Sequence, residues 1–105
     1  MIEIIRKLFG MKPAVNFAEL VEQGAIILDV RTKGEFSGGH IKGALNIPLD
    51  QLNANLGKLK SKNTVIITCC ASGMRSASAK GILSSKGYAQ VYNGGSWVSL
   101  NRKIN

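Results

Sequence analysis

The chain has 105 residues, 45% of them hydrophobic and 19% charged, which suits one folded core and leaves no room for a second. That balance excludes a disordered tail or a collagen-like chain, two adjacent cysteines exclude a disulfide-stapled scaffold, and no apolar run nears the ~20 residues that span a bilayer. Lys and Arg outnumber Asp and Glu by 14 to 6, a net +8 that favours an anionic partner.

Residues 1–13 read as an N-terminal extension with a short amphipathic helix. Ile2, Ile4, Ile5, Leu8 and Phe9 fill one face, Glu3, Arg6 and Lys7 the other, and Pro13 stops the segment. Arg6 and Lys7 interrupt the apolar stretch, so it is not a secretory signal; the face is expected to pack on the domain formed by residues 14–105. Asn16 is placed to cap a helix, with Glu19 as its box partner and Gly24 at the end. Residues 25–30, AIILDV, read as a strand buried on both faces. Thr32 and Glu35 repeat the capping-box signal and open a short helix toward Gly38 and Gly39. A short strand over 44–47 ends at Pro48, and Asp50 is expected to cap a helix carrying Leu52, Leu56 and Leu59.

Residues 64–68, TVIIT, form a second buried strand. A loop over 70–74 leads to a helix over about 75–86, ended by Gly87. A short strand over 90–92, a turn at Asn93-Gly94-Gly95 and a last helix near 97–103 complete the chain. Apolar strands alternating with helices predict an α/β domain, a central parallel sheet of about five strands with helices on both faces. Ligands of such sheets sit beyond the carboxyl ends of the strands, which points to the loop after residues 64–68.

The cations are scattered and only six aromatics accompany them, so the dense basic–aromatic patch of a nucleic-acid binder is missing. Steering of a small anion is the better use of the charge. The loop Cys69-Cys70-Ala71-Ser72-Gly73-Met74-Arg75-Ser76 joins a buried strand to a helix N-terminus, where backbone N–H groups can converge on an anion. Gly73 relieves the tight backbone, Ser72 and Ser76 supply hydroxyls, and Arg75 a permanent charge at the rim. A cysteine at the base of such a cradle has a lowered pKa and acts as a nucleophile. Convergence selects Cys70 for that role and leaves Cys69 as a core residue.

Two separated motifs resemble the rhodanese family in its single-domain form. One runs Leu28-Asp29-Val30-Arg31, Glu35-Phe36, then Gly39-His40-Ile41-Lys42-Gly43-Ala44 to Leu49. The other is Cys70-Ala71-Ser72-Gly73-Met74-Arg75-Ser76-Ala77, and Asn93-Gly94-Gly95-Ser96-Trp97 is similar to the family's terminal signature. The resemblance covers about residues 14–101. It implies a sulfurtransferase that takes a sulfane sulfur from an anionic donor such as thiosulfate as a persulfide on Cys70. The sulfur then passes to cyanide or a thiol, of small-molecule or protein origin. On the same resemblance Ala71, Ser72, Gly73, Met74 and Arg75 form the active-site loop, and no cofactor or metal is needed. Asp29, Arg31, His40 and Ser76 support it. Asp29 is expected to brace loops, Arg31 to pair with Glu35, His40 to brace its own loop, and Trp97 to join the core. The small side chains of Ala71, Ser72 and Gly73 predict an open entrance. A reduced thiol and no visible targeting segment point to the cytoplasm, away from membranes. A persulfide relay without fast turnover is the competing reading.

Cys69 creates a register ambiguity. Counted from Cys70, the spacing to Arg75 is C-x4-R, the short sulfurtransferase loop. Counted from Cys69 it is C-x5-R, the longer loop of rhodanese-fold phosphatases and arsenate reductases. Gly73, three residues after Cys70, favours the shorter register.

Overall fold

The computed structural model describes residues 14–105, and the amphipathic helix expected over 1–13 lies outside them. The apolar runs form the middle of the sheet. Strand β1 (Ile26–Asp29) lies between β2 (Leu45–Asn46) and β3 (Ile66–Cys70), and β3 between β1 and β4 (Val91–Ser96). All three pairings are parallel, with Leu28 opposite Thr68 and Asp29 opposite Cys69. The described residues thus hold four strands where about five were expected.

Helix α1 (Phe17–Glu22) starts as read, with the Glu19 N–H donating to Asn16 Oδ1 at 3.0 Å. The Glu19 carboxylate accepts from Gln23, however, and does not close a reciprocal box. The box of α2 (Lys33–Ser37) is complete: the Glu35 N–H donates to Thr32 Oγ1 at 3.2 Å and the Thr32 N–H to Glu35 Oε1 at 3.1 Å. The Asp50 helix is a correction. Residues Leu49–Gln51 and Asn53–Leu59 make two 3-10 segments with no side-chain cap, broken by non-helical backbone at Asn55. Three apolar anchors, Leu52, Leu56 and Leu59, hold that segment to the core, and packing outweighs the weak local signal. Helix α3 (Met74–Ser85) and helix α4 (Trp97–Ile104) match the reading closely.

Alternation along β1 and β3 divides the core into two layers. Leu28, Ile66 and Cys70 face Leu52, Leu59, Ala79 and Leu83, under α3 and the 3-10 segments. Ile27, Ile67 and Cys69 face Ile41 and Leu100, where Leu20, Val21 and Trp97 pack from α1 and α4. Two cysteines adjacent in sequence therefore belong to opposite layers.

Asn93-Gly94-Gly95 is not a turn but the body of β4. Thr68 pairs with Asn93 and Cys70 with Ser96, so β4 carries one residue more than β3 over that stretch. Gly94 permits this. A Cβ there would meet Leu100 Cδ2 at 2.8 Å, and Ile67 Cγ2 and the Thr68 carbonyl oxygen at 2.9 Å. The sequence signal for a turn is the same Asn-Gly-Gly that lets a strand bulge against a crowded sheet.

Candidate active site

Cys70 is the last residue of β3, one position earlier than a loop beyond the strand would place it. The chain then turns through exposed Ala71 and Ser72 to Gly73, whose left-handed φ of 103° lets it cap α3. This turn points backbone N–H groups back at the sulfur. The Gly73 N–H donates to Cys70 Sγ at 3.0 Å and the Ser76 N–H at 3.4 Å. Ser76 Oγ stands 3.5 Å away. Burial pushes the Cys70 thiol up, but the Ser76 hydroxyl and the N–H groups of Ser76, Gly73 and Ser72 outweigh it and leave the pKa lowered. Among the described residues Cys69 has no such donors. Burial, with the nearby Asp29 carboxylate adding to it, pushes its thiol up to about 12. The longer register counted from Cys69 therefore has a protonated thiol facing the wrong layer.

Ser76 is buried and central. Its hydroxyl reaches Asn93 Oδ1 at 2.7 Å and the Gly73 carbonyl at 3.0 Å, and its own carbonyl accepts from Thr68 Oγ1 at 2.9 Å. The sequence gives no sign of this role for Asn93, since its place before two glycines reads as turn chemistry.

Arg75 sits at the rim, but its guanidinium is engaged. Nη1 and Nη2 donate to the two Glu35 carboxylate oxygens at 2.7 and 2.9 Å, across 40 residues of chain. The Arg75 side chain holds the Glu35 carboxyl down at about 2, helped by the Thr32 N–H. The expected Arg31–Glu35 carboxylate pair is accordingly absent. Arg31 meets Glu35 only at the backbone carbonyl, at 3.3 Å.

Arg31 is instead spent on Asp29. Its Nε and Nη2 reach the Asp29 carboxylate at 3.0 and 2.7 Å, and Asp29 also accepts the Arg31 N–H. Nη2 continues to the Gly39 carbonyl at 2.8 Å, and the guanidinium lies 4.7 Å from the centroid of half-buried Trp97. Asp29 thus braces the strand–loop corner, as read. His40 does the same for its own loop: Nδ1 donates to the Phe36 carbonyl at 2.7 Å while the ring stacks on Phe36. Met74, the first residue of α3, is 79% exposed.

The open entrance is a correction. Ala71 and Ser72 are exposed, yet Cys70 itself has 0% accessible surface, because the N–H groups that stabilise its sulfur also lie over it. An apolar pocket of about 370 Å³ is lined by Val30, Pro48, Leu49 and Arg75 with Thr32 and Asp50. Among the described residues no cluster of His, Cys, Asp and Glu could hold a metal, and no helix is long and apolar enough to cross a membrane.

The fold is thus a parallel α/β domain whose strand-end thiol accepts the N–H groups of the loop that follows it. Residues 14–99 match the rhodanese-like domain family, and the chain belongs to it. It is 39% identical over 69 residues to Bacillus subtilis YqhL, covering 66% of this chain and 54% of that one. It is 36% identical over 69 residues to the Escherichia coli thiosulfate sulfurtransferase PspE, covering 65% and 66%. The match thus spans about half to two thirds of these relatives. Among solved structures, a rhodanese with anions from E. coli superposes with a TM-score of 0.69 at 32% identity, covering 72% of this chain and 91% of that one.

Proposed function

We propose that this protein is a sulfurtransferase working through a persulfide on Cys70, with an anionic sulfane donor such as thiosulfate. One observation carries the reading: the Gly73 and Ser76 N–H groups converge on Cys70 Sγ at 3.0 and 3.4 Å. They favour the thiolate and can hold negative charge at that spot through the cycle. In the first half-reaction the thiolate lone pair attacks the outer sulfur of the donor. The donor S–S bond breaks and its electron pair leaves with sulfite. In the second, a thiolate or cyanide attacks the outer sulfur of the Cys70 persulfide, and the pair of the breaking bond returns to Sγ. The sulfur atom moves without any external oxidant or reductant.

Arg75 contributes field more than direct contact, since two of its donors are tied to Glu35. Because Cys70 is covered, the turn that carries the Gly73 N–H must shift off the sulfur to admit the donor. A reducing compartment such as the cytoplasm suits a thiol that must cycle.

The test is incubation of the protein with thiosulfate, followed by mass spectrometry. Gain of one sulfur atom on Cys70, lost in Cys70→Ser, supports the reading. Sulfur on Cys69, or none on either thiol while p-nitrophenyl phosphate turns over, overturns it. A persulfide that passes slowly to cyanide and quickly to a protein thiol assigns the protein to relay.

A further inference from the structure

Ser76 has one hydroxyl proton and three acceptors around it. Its Oγ lies 2.7 Å from Asn93 Oδ1, 3.0 Å from the Gly73 carbonyl and 3.5 Å from Cys70 Sγ. Ser76 is fully buried, so its hydroxyl is shared among these protein groups, while Asn93 reaches it from an exposed position on β4. The Asn93 amide has a defined orientation: its Oδ1 accepts the Gly95 N–H at 2.9 Å, and its Nδ2 points to the Gly73 carbonyl at 3.4 Å. While Cys70 is a thiol, its S–H can donate to Ser76 Oγ, and Ser76 donates to its nearest acceptor, Asn93. A Cys70 thiolate has no proton to give and needs the same hydroxyl as a donor. The two demands exclude each other.

We propose that Asn93 is a positioning residue that holds the Ser76 hydroxyl proton while Cys70 Sγ is uncharged and yields it to that sulfur when it becomes a thiolate. The inference rests on the sulfur-transfer reading for its catalytic meaning. In a persulfide the charge sits on the outer sulfur and Sγ is neutral, so Ser76 remains turned to Asn93. When the acceptor takes the outer sulfur, the electron pair of the S–S bond collapses onto Sγ, and the hydroxyl swings to the new thiolate. Asn93 thereby sets how costly the leaving thiolate is.

Other charged or titratable groups near Cys70 are Arg75 on α3, Cys69 on β3, Glu35 on α2 behind Arg75, and Asp29 with Arg31 at the end of β1; Tyr88 shares its core layer. None of them hydrogen-bonds the sulfur among the described residues. Near the sulfur β4 brings Asn93 and Ser96, neither of which titrates.

The test follows thiolate absorbance against pH in a Cys69→Ala background, where Cys70 is the sole thiol. Ser76→Ala is expected to raise the Cys70 midpoint and Asn93→Ala to lower it, each by about half to one pH unit, the worth of one hydrogen bond. In the Ser76→Ala background, Asn93→Ala is expected to have no effect. If Asn93→Ala disturbs the fold, Asn93→Asp keeps an acceptor for both Gly95 and Ser76. It should raise the midpoint, and by less once Ser76 is Ala. An Asn93 effect of equal size with and without Ser76, or no effect of either Asn93 variant, overturns the proposal. The titration needs no sulfur donor, so it can fail while persulfide still forms on Cys70. Absence of persulfide from any donor likewise leaves the titration result standing.

Discussion

Cys69 and Cys70 share a strand, a neighbour and complete burial, yet their thiols are driven in opposite directions. Cys69 points among Ile27, Ile41, Ile67 and Leu100, where no group among the described residues donates to it. Cys70 points to the layer under α3, where the chain reverses and aims its N–H groups back. Burial raises both thiols, and only hydrogen-bond donors reverse the sign. The direction in which each thiol is driven is thus set by the loop that follows the strand, more than by the cysteine within it.

The sharpest break of that comparison is removal of each sulfur. Cys70→Ser should abolish thiosulfate-dependent sulfur loading. Cys69→Ala should retain most of it and lose only about 1 kcal/mol of stability from the vacated core volume, measured by urea denaturation. Comparable activity losses from both would show the two thiols act together.

Next in size is the support on the Cys69 side. Arg31→Ala strands the Asp29 carboxylate without its ion partner in full burial, and should cost about 3–5 kcal/mol in denaturation. The Cys70 titration midpoint should hardly move in the fraction that stays folded, since Arg31 serves the opposite layer.

A pH series separates the two thiols directly. Thiolate absorbance from Cys70 should appear below the midpoint of an ordinary cysteine, and that from Cys69 only near pH 12. The Cys69 thiol is raised from an ordinary value of 9.0, so the stability it contributes is full below pH 9 and is lost as pH rises toward 12. Iodoacetamide should modify Cys70 more slowly than its thiolate fraction implies, because the sulfur is covered; a rate matching an exposed thiolate would contradict that.

The smallest expected effect is at the rim. Glu35→Gln releases the Arg75 guanidinium toward the anion and should lower the thiosulfate KM by about two- to fivefold. A raised KM would mean that Glu35 is needed to aim Arg75. Because Glu35 is lowered from 4.5 to about 2, the stability of its pair is present above pH 4.5 and fades as pH falls toward 2.

Much of this arrangement was legible in the residues. The runs at 25–30 and 64–68 located the central strands, Thr32 and Glu35 the capping box, and the Cys70–Ser76 spacing the cradle. What escaped was carried by contacts between distant segments. Proximity in sequence pairs Glu35 with nearby Arg31, but Asp29 is closer to Arg31 in the folded corner, and Glu35 is left for Arg75. Asn93 was hidden because Asn-Gly-Gly has the same composition in a turn and in a bulged strand. The 3-10 segments near Leu52 depend on apolar anchors that no local cap announces.

Every strand pairing among the described residues is parallel, so no two neighbouring strands there are joined by a hairpin and each contact waits for a crossover. Strand β3 is completed on its far side by β4, which also brings Asn93 to Ser76. During synthesis, then, Cys70 leaves the ribosome well before the residues that finish its surroundings. A nascent chain halted before Val91 therefore has β3 open along one edge and Ser76 without its Asn93 partner.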